Sequence, residues 1–375
     1  MNLHNQPAYP SVHAVKTSPG NKTLQLTNNM KTKCLFLLMA VIVGLVTPPA
    51  HAIYYWQPNG WDGTGDVPSG TWSTTDPNWY DGSKEYQVFA APATLQPKVV
   101  FCYTGVRVPA NAYTVTVAPG ENFIVPSFLC AAGHPTVVGD TLRLRSDANG
   151  PALVEVYTNL TFTLNCGLTN FSAAPNGLCL NKIGPGTLVL GAVNQLLNGS
   201  GDPAGVRIDG GRLRLSVTQA FGRTNHLVLG ASDTGDPAAS AIFDTGGLDQ
   251  QLGTLNLAGP STDTARTLDL GDGTGTLTFA DSSAQPWLSI DQEDIFLHIT
   301  NYRPGVNALR FGTSASGLTT RQLQLIRFSE FDNAVGQIDA QGFITPGAVP
   351  PAPGAAMATI PNPFAVIPVP PCPIP

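Results

Sequence analysis

An all-β solenoid, a stack of short-stranded coils, is the fold class this sequence predicts. Three observations predict it. The first is composition. Of 375 residues only 12% are charged, about half the usual globular share, while Gly (39) and Pro (33) are abundant and 42% are hydrophobic. That balance suits apolar strands joined by many turns. The second is period. "AYTVTVAPG" from Ala112, "TLRLRS" from Thr141 and "ALVEVYTNLTFTLN" from Ala152 alternate apolar and polar residues between Gly, Pro, Asn or Asp. Alternation of this kind marks half-buried strands.

The third is recurrence. "GTLVLG" begins at Gly186, "GRLRLS" at Gly211, "NHLVLG" at Asn225, "GTLNLA" at Gly253, "RTLDLG" at Arg266 and "GTLTFA" at Gly275. Each has Leu at its third position and an apolar residue at its fifth, so both side chains share one strand face. The anchors Leu188, Leu213, Leu227, Leu255, Leu268 and Leu277 are spaced by 25, 14, 28, 13 and 9 residues. Most spacings are near one value or twice it, as in coils with variable loops that bury their apolar faces only when stacked. A β-sandwich with similar turn spacing is the competing arrangement; the repeated unit favours the stack.

The elements follow in chain order. Residues 1–29 are polar and precede a second Met, Met30, so they read as an extension from a start codon assigned too early. Residues 30–52 read as a secretory signal peptide. Lys31 and Lys33 form its positive end, an apolar run extends from Cys34 to Val46, and Ala50-His51-Ala52 is its cleavage motif. The apolar run is too short to span a membrane. Cleavage is expected after Ala52, giving a secreted or surface-exposed protein.

Residues 53–98 hold four of the five tryptophans, Trp56, Trp61, Trp72 and Trp79, with Tyr54, Tyr55 and Tyr80 nearby. Two readings are open. The rings stack on sugars, or they plug the N-terminal end of a solenoid that would otherwise expose core and strand edges. Terminal coils need atypical capping units, which favours the plug. Residues 99–346 form the repeat domain. Near its end "GLTTRQLQLIRF" predicts one short helix, capped by Thr319 or Thr320, with Leu323, Ile326 and Phe328 as its apolar stripe. Residues 347–375 are Pro-rich and read as an extended or disordered tail.

Export would place the cysteines in an oxidising compartment. Cys166 and Cys179 bracket a loop that one disulfide would close, and Cys102 and Cys130 are the next candidate pair. An odd count after the signal leaves Cys372 over, and sequence does not fix connectivity. No C-x-x-C occurs, so zinc has little support.

"KIGPGTLVLGAVNQLLNGSGDPAGVRIDGGRLRLS", from Lys182, resembles an autotransporter-associated β-strand repeat. Its two halves fall at 184–190 and 211–215. The opening "YYW…NGWDG…GTWSTTDPNWYDG" is similar to the start of many such proteins. "LHITNYRPGVNALRFGTSASGLTTRQLQLIRFSEF…GQIDAQGFITP" resembles the C-terminal part of repeat proteins that carry a Pro-Glu-Pro sorting signal, although no Val-Pro-Glu-Pro follows it. The resemblance spans most of residues 53–346. It implies a right-handed parallel β-helix, exported by a bacterium and displayed at or released from its surface, and no defined enzyme activity.

Motifs that would carry chemistry are sparse. A polygalacturonase-like site would need a Gly-His-Gly; the sequence has Gly133-His134-Pro135 but no Gly-His-Gly, no Asp-Asp pair and no Arg-x-Lys. Asp291, Glu293 and Asp294 in "SIDQEDIF" read as a solvated turn. A lyase would need a basic residue among calcium-binding acids. The lysines after residue 52 are Lys84, Lys98 and Lys182, none with an acidic cluster beside it in sequence. "DLGDGTGT" from Asp269 has the look of a lone calcium turn, and reads more simply as an Asp-Gly corner. Phosphate loops, Gly-x-Ser-x-Gly and HExxH are missing. The expected function is a non-catalytic structural or adhesive scaffold without cofactor or metal. The alternative is a carbohydrate-active or carbohydrate-binding β-helix. The expected partners are extracellular polysaccharide or other surface proteins. The net charge of −6 with no basic patch argues against nucleic acid.

Overall fold

The structure is a computed structural model that describes residues 53–58, 66–81, 98–101, 111–146, 150–172, 177–197, 204–230, 240–259, 265–289 and 293–349. The extension, the signal peptide, Trp61, Cys102, Asp291, Lys84, Cys372 and the tail beyond Val349 lie outside these residues. The described part is a right-handed parallel β-helix whose coils turn through three faces. A nine-stranded sheet runs from Trp79–Tyr80 and Ile53–Trp56 to Leu255–Leu257. A ten-stranded sheet runs from Gly70–Trp72 to Ile326–Phe328. The third face carries a three-stranded sheet and then a five-stranded one.

Alternation creates the core. Thr187–Leu190 pairs in parallel with Gly211–Leu215, which puts Leu188 on Leu213 and Leu190 on Leu215. The column continues through the ten-stranded sheet as Phe162, Leu188, Leu213, Phe243, Leu268, Ile299 and Phe328 in register. Every one of these side chains is fully buried. Burying each contributes roughly 1.5–3 kcal/mol, and only the stack makes that burial available.

The anchor leucines do not form a single column. Leu188, Leu213 and Leu268 lie on the ten-stranded sheet, Leu227 and Leu255 pair on the nine-stranded sheet, and Leu277 pairs with Leu309 on the third face. The spacings of 25 and 28 are therefore full coils, and those of 14, 13 and 9 are steps between faces.

Glycine is required where successive turns lie directly on one another. A Cβ at Gly211 would stand 2.4 Å from the Gly186 carbonyl oxygen and 2.5 Å from that of Gly184, and its φ is +67°. Only glycine takes this backbone without strain.

Both ends switch to antiparallel pairing. At the N-terminus Trp79–Tyr80 runs antiparallel to Ile53–Trp56. At the C-terminus Gly336–Ile338 and Phe343–Pro346 form an antiparallel pair, which lies on Ala308–Phe311. The predicted helix is Thr320–Leu325, with Thr319 as its N-cap. The Thr319 hydroxyl accepts from the Gln322 amide (3.2 Å) while the Gln322 side chain accepts from the Thr319 amide (2.8 Å). That reciprocal pair is a capping box. Ile326 and Phe328 are not part of the helical stripe. They form the strand Ile326–Phe328, in parallel register with Leu297–Thr300. Gln322 and Leu325 are the helix's buried side chains, and Gln322 Nε2 donates to the carbonyls of Ser282 and Gln285.

Candidate functional site

Trp56, Trp72 and Trp79 are each 0% exposed. Trp79 stands at the centre, its ring 5.0 Å from those of both Trp56 and Trp72. Trp72 stacks on Phe123 at 5.0 Å, and Trp79 leads through Phe101 into the Phe101–Phe128–Phe162 group. A ring with no exposed face cannot stack on a sugar, so for these three the glycan-stacking reading is corrected to an end plug. Trp56 Nε1 donates to the Pro68 carbonyl (3.1 Å), tying the plug to the next turn.

The Cys166–Cys179 disulfide is also corrected, because both residues are buried free thiols. Cys179 Sγ donates to the Gly205 carbonyl of the following coil (3.2 Å) rather than facing Cys166. Burial pushes each thiol up to about 12, so neither carries appreciable thiolate at neutral pH. Cys130 is buried on the nine-stranded sheet, and its expected partner Cys102 lies outside the described residues.

The other motifs resolve into turns and ladders. His134 opens the strand His134–Gly139, and its Nδ1 accepts from the Thr161 amide (3.0 Å). Asp294 forms an exposed ion pair with Arg321 (2.6 Å), and the Glu293 amide donates to the Ser289 hydroxyl (2.9 Å). Lys98 pairs with Glu155 (3.6 Å). In the corner that begins at Asp269, the Arg303 guanidinium donates to the carbonyls of Asp272 and Gly273. A guanidinium among these oxygens disfavours a calcium ion there. Among the described residues no group of three or more His, Cys, Asp or Glu could hold a metal.

One constellation was not visible in the sequence. Asp244 and Asp269 end equivalent strands of adjacent coils and are directly in register on the ten-stranded sheet. Arg212 Nη1 donates to both, at 2.6 Å to Asp244 Oδ2 and 2.7 Å to Asp269 Oδ2. The other oxygen of each carboxylate holds its own turn. Asp244 Oδ1 accepts from the Gly246 amide (2.7 Å), and Asp269 Oδ1 accepts from the Gly271 amide (3.0 Å) and Asn301 Nδ2 (2.6 Å). Burial alone would raise the Asp269 carboxyl, but hydrogen bonds from Arg212, Asn301 and Gly271 prevail and hold it below the usual range. Burial opposes the Arg212 charge, and the two carboxylates overcome that and raise its affinity for its proton. The shared sign in sequence is Asp two residues before Gly, in "DTGG" and "DLGDG".

Lys182 is a second buried charge. It occupies a register position between Val154 and Ile208 on the nine-stranded sheet and is 0% exposed. Its Nζ donates to the carbonyls of Ile183 (2.9 Å), Gly184 (2.7 Å) and Gly210 (3.0 Å). Among the described residues no helix is long and apolar enough to cross a membrane. Comparison with family models, with curated proteins and with solved structures finds no match to this chain.

Proposed function

We propose that this chain is a non-catalytic scaffold, exported by a bacterium and either displayed on the cell surface or released from it, where it serves a structural or adhesive role. One observation carries the reading. Asp244 and Asp269, carboxylates of adjacent coils that meet among the described residues, have all four of their carboxylate oxygens committed to Arg212, Asn301 and two turn amides. A general acid and base must reach a substrate atom, and these oxygens instead clamp coil to coil. The rigid stack then presents its variable loops outward, and extracellular polysaccharide or another surface protein is the expected contact.

Asp269→Asn separates the clamp from a catalytic carboxylate. It keeps the shape of the side chain but removes the charge that faces Arg212. The scaffold reading expects a loss of about 1–3 kcal/mol in urea-denaturation stability. It also expects no cleavage of extracellular polysaccharides by either wild type or variant, assayed as new reducing ends. Polysaccharide cleavage by the wild type that disappears in the variant, with stability unchanged, would overturn the proposal. Fractionation of the producing cells tests the location independently, since a cytoplasmic pool alone contradicts it.

A further inference from the structure

The outer face of the ten-stranded sheet changes character along the stack. Its first strands are Gly70–Trp72, Ala112–Val117, His134–Gly139, Thr161–Leu164 and Thr187–Leu190. None of them contains Asp, Glu, Lys or Arg. From the next strand, Gly211–Leu215, charge takes over with Arg212 and Arg214, and the Asp244–Asp269 clamp follows. What the uncharged part presents is threonine. Thr114, Thr136 and Thr163 are directly in register in successive coils, and Val189 continues their row. Thr161 pairs with Thr187 in the row on one side. Thr71 pairs with Thr116 in the row on the other, where Val138 follows. Thr114 and Thr116 are exposed and the others half-buried, so all reach the surface. Among the described residues no protein group takes up the hydroxyl of any of these threonines. His134, at the margin, spends its Nδ1 on the Thr161 amide (3.0 Å).

A parallel ladder turns these rows into a lattice. Coils repeat at about 4.7–4.9 Å across the strands, and residues two apart on one strand repeat at roughly 6.6 Å along it. β-branched side chains are restricted at χ1, so hydroxyls and methyls are ordered before anything binds and little freedom is lost on contact. Hexagonal ice repeats along its a axis slightly below the first spacing and along its c axis slightly above the second. The hydroxyls therefore suit lattice positions of water, while the methyls between them favour release of the disordered liquid. A charged side chain would orient water around itself instead, and these strands hold none. A sugar chain would call for aromatic faces or convergent charged and amide groups. This surface offers neither, because the rings these strands carry, Trp72, Tyr113 and Phe162, are buried.

We propose that the threonine rows on the outer face of the ten-stranded sheet bind the surface of crystalline ice. Ice affinity of the purified chain is independent of where the cell places it, so it stands or falls apart from the scaffold reading. The test freezes a dilute solution of the full chain slowly onto a cold surface and measures the share of protein taken into the ice. Wild type is expected to enter the ice in preference to the remaining liquid and to arrest recrystallisation. Thr136→Tyr and Thr163→Tyr each raise a ring above the lattice and are expected to lose both effects. Thr278→Tyr stands half-buried on the third face, in register with Gln251 and Arg310, and is expected to keep them. Tyr is itself favoured in strands, so a threonine row that merely suited the sheet would tolerate it. Circular dichroism melting curves matched to wild type show that each variant retains the stack. Exclusion of the wild type from the ice overturns the proposal whatever the variants do. Equal shares in ice for wild type, Thr136→Tyr and Thr163→Tyr overturn it too. Retention on insoluble polysaccharide that Thr163→Tyr abolishes, with its share in ice unchanged, would assign the face to a glycan instead.

Discussion

At position 182 the inward register of the nine-stranded sheet runs Val154, Lys182, Ile208, an ammonium between two aliphatic residues. The charge is tolerated because three N–H donors meet three carbonyls, which leaves no donor unsatisfied. Burial pushes its pKa down to about 7, against the opposing pull of Glu155 and Cys130. In the unfolded chain a lysine titrates near 10.4. Between these values the unfolded state binds the proton and the folded state releases it, so stability rises with pH across that window. Below about 7 both states are protonated, and the cost of burying the charge is felt in full. Cys166 and Cys179 act oppositely, since their raised values make stability fall with pH, but only above about 9. The interval from about pH 7 to about pH 9 thus isolates the lysine. Wild type is expected to gain roughly 2 kcal/mol over it, and Lys182→Met to lose that slope, as read from urea titrations at each pH. Parallel slopes for the two proteins would refute the assignment. Sequence could not reveal this lysine's place: it stands beside no acid in the chain, and its partners are carbonyls of turns fixed only by coil closure.

Among the elements, stacked turns depend on glycine unequally, and that inequality is measurable. Gly211 and Gly177 both have positive φ, +67° and +73°. A methyl at Gly211 would strike two carbonyl oxygens, whereas at Gly177 it would meet nothing within 4 Å. Gly177→Ala therefore carries only the backbone penalty, roughly 1 kcal/mol. Gly211→Ala adds the clash between coils and is expected to lower the denaturation midpoint well beyond it. Equal losses at the two sites would mean that the turns do not bear on one another as described. The elements also divide what local sequence determines from what it cannot. The unit Gly-x-Leu-x-apolar is local, so strands such as Thr187–Leu190 and Gly211–Leu215 were legible, as was the Thr319 cap. The face each strand occupies depends on loop lengths, so the spacings of the leucine anchors did not reveal that they are shared among three faces. Ile326 and Phe328 satisfied both a helical and a strand period, and pairing with Leu297–Thr300 decided between them. Asp244 and Asp269 escaped notice for the same reason: 25 residues separate them in the chain, and a single coil brings them together.

For the whole molecule the central problem is its ends. A parallel stack leaves strand edges and a slice of core open at each terminus, and a second chain is their natural partner. This chain answers with antiparallel closing strands at both ends and, at the first, with Trp56, Trp72 and Trp79 packed around one another above Phe101. Aromatic residues in the sequence suggested either a sugar platform or a plug, and only coil closure, which buries all three rings, separates the two. The plug makes a prediction that ordinary core packing does not. Trp79→Ala removes the ring that touches Tyr54, Trp56, Trp72 and Phe101, at a cost of about 3–5 kcal/mol. Leu213→Ala, in the middle of the ten-stranded sheet, is expected to cost about 2–5 kcal/mol. The two differ in what they expose. The mid-stack cavity stays enclosed by neighbouring coils, so Leu213→Ala should melt earlier and remain monomeric. Trp79→Ala opens the terminal edge and should form concentration-dependent oligomers under conditions where it is still folded, followed by light scattering beside circular dichroism. If the two variants self-associate to the same extent, aggregation tracks lost stability alone, and the tryptophans are core residues without a capping role.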